Sequence, residues 1–159
     1  LHETLIRKFL IETYLYLSNP DFMHEVHQRI MSYLHPELDH IIVAHSLGSV
    51  ITYNLLHQYP HFRIQRFITL GSPLAFKVIQ EKLVTPISRP PQLYGDWFNF
   101  YSPDDFLTAF PLSNAPFNFE PPIINQAIRT PINNPHSISG YLQHPAVIKS
   151  IVEALKCKK

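Results

Sequence analysis

At 159 residues, with 45% hydrophobic and 13% aromatic content, the chain is long enough to bury one sizeable core and reads as a single globular domain. Its formal net charge of +1 gives no electrostatic footprint for nucleic acid or an anionic membrane surface, and no long uninterrupted apolar run or signal-peptide pattern marks a membrane span or export. The single cysteine, Cys157, excludes an intramolecular disulfide and fits a cytoplasmic setting. The ten histidines include no Cys/His cluster with zinc spacing and no H-E-x-x-H, so neither a metal nor another cofactor is expected.

Apolar residues at Ile6, Phe9, Leu10, Tyr14 and Leu17 predict a helix from Leu5 to Leu17. Ser18-Asn19-Pro20-Asp21 breaks it and starts a second, with a stripe at Phe22, Val26, Ile30, Tyr33 and Leu34 that His35-Pro36 ends. Both helices read as packing elements. Asp39-His40 then leads into Ile41-Ile42-Val43-Ala44-His45-Ser46-Leu47-Gly48-Ser49-Val50-Ile51. Three β-branched aliphatics run into a tight corner, and helical spacing at Val50, Ile51 and Leu55 leaves it, which predicts strand, sharp turn, helix. Small residues flank Ser46 at two positions before (Ala44) and two after (Gly48), as a tight turn with an exposed hydroxyl requires. A strand-to-helix turn with Ser46 as a simple N-cap explains the same five residues.

Tyr59-Pro60 stops the helix, and Ile64 to Leu70 reads as a second strand ending at Gly71-Ser72-Pro73. A short helix is predicted from Leu74 to Leu83, then a loop from Val84 to Tyr94 with three prolines. Trp97 to Tyr101 is an aromatic third strand that stops at Ser102-Pro103-Asp104-Asp105. Residues 103–135 carry six prolines beyond the first and read as a long loop with one short strand within Ile123 to Arg129; loops of that length in compact domains are often functional. Spacing at Val147, Ile148, Ile151 and Leu155 predicts a last helix from His144 to Lys156, with Pro145 in its first turn. Strands alternating with helices imply right-handed parallel crossovers, hence an α/β class with a mostly parallel sheet and helices on both faces.

A serine hydroxyl is a poor nucleophile at neutral pH, so catalysis by Ser46 needs a histidine within hydrogen-bond reach and an acid to orient it. The segment A-H-S-L-G between strand and helix resembles the nucleophile elbow of the α/β-hydrolase superfamily, most closely its lipase- and esterase-like members. That resemblance implies the chain order serine, acid, histidine. It assigns the acid to Asp105, after the aromatic strand, with Asp104 as runner-up. The base is then His136, in Asn134-Pro135-His136-Ser137, with His144 as the alternative. The Leu47 backbone N–H, in the first turn of the following helix, becomes an oxyanion donor helped by the helix dipole. His45 is expected to be a support residue, and Gly71-Ser72-Pro73 resembles a segment on the rim of the family's active-site crevice.

The implied activity is hydrolysis of a small-molecule acyl ester or lipid-like substrate through an acyl-enzyme, with apolar residues of 106–119 as candidates for the acyl pocket. A catalytically inactive binding or assembly module is the alternative. The resemblance also implies several strands ahead of the elbow where this chain has two helices. The expectation is therefore the C-terminal part of a longer domain, whose elbow strand pairs with a preceding segment or a second copy and whose second oxyanion donor lies outside the chain.

Overall fold

The computed structural model describes residues 2–108 and 110–157; Leu1, Lys158 and Lys159, and Ala109 inside the apolar 106–119 stretch, lie outside the described residues. The order of elements is α1 (His2–Ser18), α2 (Pro20–Met31), β1 (Asp39–His45), α3 (Leu47–Gln58), β2 (Arg63–Leu70), a 3-10 turn (Pro73–Ala75), α4 (Lys77–Gln80), β3 (Trp97–Tyr101), β4 (Ile124–Ala127), α5 (Ile138–Leu142) and α6 (Pro145–Lys156). The four strands form one sheet in the order β1-β2-β3-β4, with every neighbouring pair parallel. The protein is therefore of the α/β class.

Local chemistry sets the boundaries. Asn19 caps α2 by accepting the Phe22 N–H at 3.1 Å, and Pro20 occupies a first-turn position where its missing donor costs nothing. His144 caps α6 in the same way, its Nδ1 accepting the Ala146 N–H at 3.1 Å just before Pro145. The helix expected from Leu74 to Leu83 is instead broken in two. Phe76 is extended (φ −79°, ψ 129°) between the 3-10 turn and the single turn of α4. The strand expected within Ile123 to Arg129 is the four-residue β4. α5 was not legible in the sequence, because five residues are too few to display a helical period.

A sheet of parallel strands is covered on both faces, so its strands bury residues of either parity. In β2, Phe67 joins the larger core with Val50, Tyr53 and Leu56 of α3 and Trp97 of β3. Ile68 and Leu70 point the other way, into a second core with Phe100, Tyr141 and Val147. The larger face also carries a satisfied polar ladder: Trp97 Nε1–H donates to Thr69 Oγ1 at 3.0 Å, and the Thr69 hydroxyl donates to Asn99 Oδ1 at 2.7 Å. Asn99 Nδ2 then donates to Asn125 Oδ1 at 2.9 Å. Trp97, Thr69 and Asn99 are buried, and each has its partner on the adjacent strand, as the low dielectric there demands. Because all strands run one way, the loops after β1, β2, β3 and β4 open at one edge, where ligands bind in open parallel sheets.

Among the described residues no helix is long and apolar enough to cross a membrane. β1, the strand that leads into Ser46, is an outer strand of the sheet and pairs on one side, with β2.

Candidate active site

Ser46 stands where β1 ends and α3 begins, and it is the one non-glycine residue with positive φ among the described residues (φ 54°, ψ −124°). Such backbone costs on the order of 1–3 kcal/mol and persists only where its surroundings over-determine it. Here they do. Ser46 N–H donates to the Leu70 carbonyl at 3.0 Å, and the Ser46 carbonyl accepts both the Ser49 N–H at 3.0 Å and the Ser49 hydroxyl at 2.6 Å. Ser46 makes no side-chain capping bond, so the plain N-cap explanation of this turn does not hold. Its hydroxyl is directed elsewhere.

That hydroxyl donates to His136 Nε2 at 2.8 Å, and His136 Nδ1–H donates to Asp105 Oδ2 at 2.7 Å. Three residues from the loops after β1, β3 and β4 thus form one chain of hydrogen bonds, spanning 90 positions of sequence between serine and histidine. Asp105 is fully buried and His136 nearly so. The geometry fixes the tautomer: with a carboxylate at Nδ1, the proton of the neutral imidazole sits there and Nε2 is the lone-pair site facing the serine.

The carboxylate is held by more than the histidine. Oδ2 also accepts the Thr108 hydroxyl at 2.6 Å and the Tyr141 hydroxyl at 2.7 Å. Burial pushes the Asp105 carboxyl up, but the bonds from His136, Thr108 and Tyr141 outweigh it, so the group titrates below the usual carboxylate range. Tyr141 is pushed up, first by burial and then by the adjacent Asp105 charge, so its phenol stays a donor. The Thr130 hydroxyl ties the acid loop to the base loop, donating to the Pro135 carbonyl at 2.7 Å and lying 2.9 Å from Ser102 Oγ.

The runner-up residues fall outside this chain of bonds. Asp104 faces Arg129 at 3.6 Å, and His144 is committed to its cap. His45 reaches the site from below: its Nε2–H donates to the His136 carbonyl at 2.7 Å, with the two rings 4.9 Å apart. Burial, followed by the charge of His136, holds His45 below the usual imidazole range, so it is a neutral prop for the loop that carries His136. Gly48 departs from expectation. A Cβ there would meet no other part of the chain within 4 Å, so crowding does not demand glycine at that position; it faces an open cleft.

Leu47 opens α3, and the first N–H groups of a helix have no intrahelical acceptor. It lines a cleft of about 290 Å³ with Ser46, Gly48, His45 and His136, roofed by Leu5, Lys8, Phe9 and Glu12 of α1. The Phe9 ring meets His136 edge-on at 6.5 Å between centroids. A second cavity, of about 400 Å³, lies beyond His136 between α1 and Phe106, Asn133, Asn134 and Pro135. Of the apolar 106–119 stretch, Phe106 borders this cavity, whereas Leu112 and Phe117 are buried in the fold. The apolar stripe of α1 predicts packing alone. No signal in its stripe distinguishes a residue facing the core from one facing a cleft. Among the described residues no group of three or more His, Cys, Asp or Glu could hold a metal.

Comparison with family models, with curated proteins and with solved structures gives no match for this chain.

Proposed function

We propose that the chain is the catalytic part of a serine hydrolase of the α/β-hydrolase superfamily, cleaving an acyl ester through an acyl-enzyme. One observation carries the reading: a strained serine at a strand-to-helix corner donates to a histidine that donates in turn to a buried, ionised aspartate. His136 takes the Ser46 proton as Oγ attacks the acyl carbon, and Asp105 stabilises the imidazolium that forms. The carbonyl oxygen becomes an oxyanion beside the Leu47 N–H at the positive end of α3. His136 then returns the proton to the departing alcohol, and water repeats the sequence to release the acid.

The substrate is a small-molecule ester with an apolar portion that fits the space between α1 and Phe106. The outer edge of β1 suits pairing with a preceding segment, which would contribute the second oxyanion donor, or with a second copy. A fluorophosphonate probe tests the reading, since it phosphonylates only an activated serine. Labelling of the folded protein that is lost in Ser46→Ala supports it. A wild-type protein that is folded, carries its native neighbours and leaves Ser46 unmodified would instead be a hydrolase-like binding module.

A further inference from the structure

The Ser46, His136 and Asp105 chain leaves two features unexplained. One carboxylate oxygen, Asp105 Oδ2, accepts three donors, while Oδ1, equally buried, has no hydrogen-bond partner. And the turn after β2 places Gly71 at φ +53°, where a Cβ would lie 3.0 Å from the Tyr141 hydroxyl oxygen and 3.1 Å from Asp105 Oδ2. The backbone of one loop is thus pared back so that a phenol and a carboxylate can meet.

We propose that Tyr141 is a positioning residue for the acid of this site, acting on Ser46 chemistry through Asp105 and His136; this rests on the serine-hydrolase reading above. α5 begins at Ile138, so His136 and Tyr141 lie five positions apart on one short loop and helix. The same segment delivers the base and the phenol that holds the base's acid. Two hydroxyls and an imidazole N–H converging on Oδ2 hold the plane of the carboxylate, because any partial turn lengthens all three bonds at once. The phenol also shares the negative charge that His136 Nδ1–H sees. Tyr141 is fully buried and does not itself line the cleft; its hydroxyl donates to Asp105 Oδ2, and its other neighbour at the site is the His45 ring, 5.9 Å away, so its effect passes through Asp105 wherever it survives replacement of His45. Gly71 serves the same contact by leaving the space for it.

Groups that titrate around this contact are His136 itself, His45 from β1, whose ring lies 5.9 Å from that of Tyr141, and Asp104, paired with Arg129. The experiment compares wild type with Tyr141→Phe, which keeps the ring and removes only the donor, using p-nitrophenyl butyrate across a pH series. The expected result is a roughly tenfold fall in kcat with KM changed less than about twofold, since a bond to a charged acceptor is lost while binding is untouched. The acid limb of the rate profile moves up by about half a pH unit, because Oδ2 then offers its charge to fewer donors. That displacement persists in a His45→Gln background. Adding Thr108→Val to Tyr141→Phe lowers kcat by more than the product of the single effects, as residues acting on one oxygen are coupled.

Tyr141→Phe with unchanged kcat and an unmoved acid limb, in a wild type that hydrolyses ester and labels with fluorophosphonate, overturns the proposal and leaves the hydrolase reading intact. A loss of thermal stability with no change in the limb also overturns it, since that is what a packing role alone produces. A wild type with neither hydrolysis nor labelling overturns the hydrolase reading, and this proposal with it.

Discussion

Asp105→Asn is the substitution whose outcome the structure constrains most tightly. The native Oδ2 accepts from His136, Thr108 and Tyr141, and Oδ1 is buried without a partner. An asparagine keeps the three bonds only by placing its oxygen at the Oδ2 position. Its NH2 group then occupies the unpartnered Oδ1 position, at a cost of about 1–3 kcal/mol for a buried unsatisfied donor. The three remaining bonds lose charge assistance, about 1 kcal/mol each, while the desolvation cost of a buried carboxylate disappears and offsets part of that. The net expectation is a folded protein destabilised by about 1–4 kcal/mol. The alternative orientation, NH2 toward His136, sets the amide N–H against the His136 Nδ1–H and turns away the Thr108 and Tyr141 hydroxyls; relieving the clash forces the imidazole to the wrong tautomer, leaving Nε2–H pointed at the serine.

Either orientation removes the charge that stabilises the imidazolium. A fall in kcat of about 10³- to 10⁴-fold is expected, or about 4–5.5 kcal/mol in the barrier, with KM little changed. Initial rates on p-nitrophenyl butyrate and the rate of fluorophosphonate labelling measure it. A folded Asp105→Asn protein within about tenfold of wild type in both assays would refute the assignment of Asp105 as the acid. The stability side has its own signature. Since folding lowers the Asp105 pKa, its contribution is present above the unfolded carboxylate value near 4 and is lost as pH falls through the folded value. Urea midpoints of wild type therefore drop on acidification below about pH 4 more steeply than those of Asp105→Asn.

Further outcomes follow from the same geometry. Phe9→Ala and Leu5→Ala thin the roof that α1 lays over the cleft, so KM for a butyryl or longer ester rises by roughly fivefold per side chain, consistent with about 1 kcal/mol of lost apolar contact, while an acetyl ester is affected less. Gly71→Ala combines a left-handed backbone with a Cβ pressed on Tyr141 and Asp105; it should cost about 1–3 kcal/mol in stability and depress kcat together, read by thermal melts and ester turnover. His27, fully buried between α1 and α2, has a pKa held down by burial and accepts the Tyr16 hydroxyl at 2.6 Å. Folding thus disfavours its charged form, so stability is complete above the unfolded imidazole value near 6.5 and declines as pH falls below it. The melting temperature of wild type should fall from pH 7 to pH 5, and that slope should flatten in His27→Gln.

The alternation of helical and strand periods was enough to read an α/β class, since parallel strands with intervening helices have few ways to bury both sheet faces. Ser46 was marked by the small residues around its corner, whereas Asp105 and His136, each at the end of an element, were singled out only through the resemblance and the serine, acid, histidine order that it implies. What folding decided is which of these ends meet. Whether Asp105 or Asp104 faces the histidine is a matter of one residue of turn geometry, and the difference is a buried carboxylate against one paired with Arg129. Tyr141, Thr108 and the space left at Gly71 had no local signature, because their partners lie tens of positions away and converge only once all four strands point the same way. The role of α1 as the roof of the cleft was hidden for a related reason: an apolar stripe records that a face is buried or sheltered, and only the packed structure says against what.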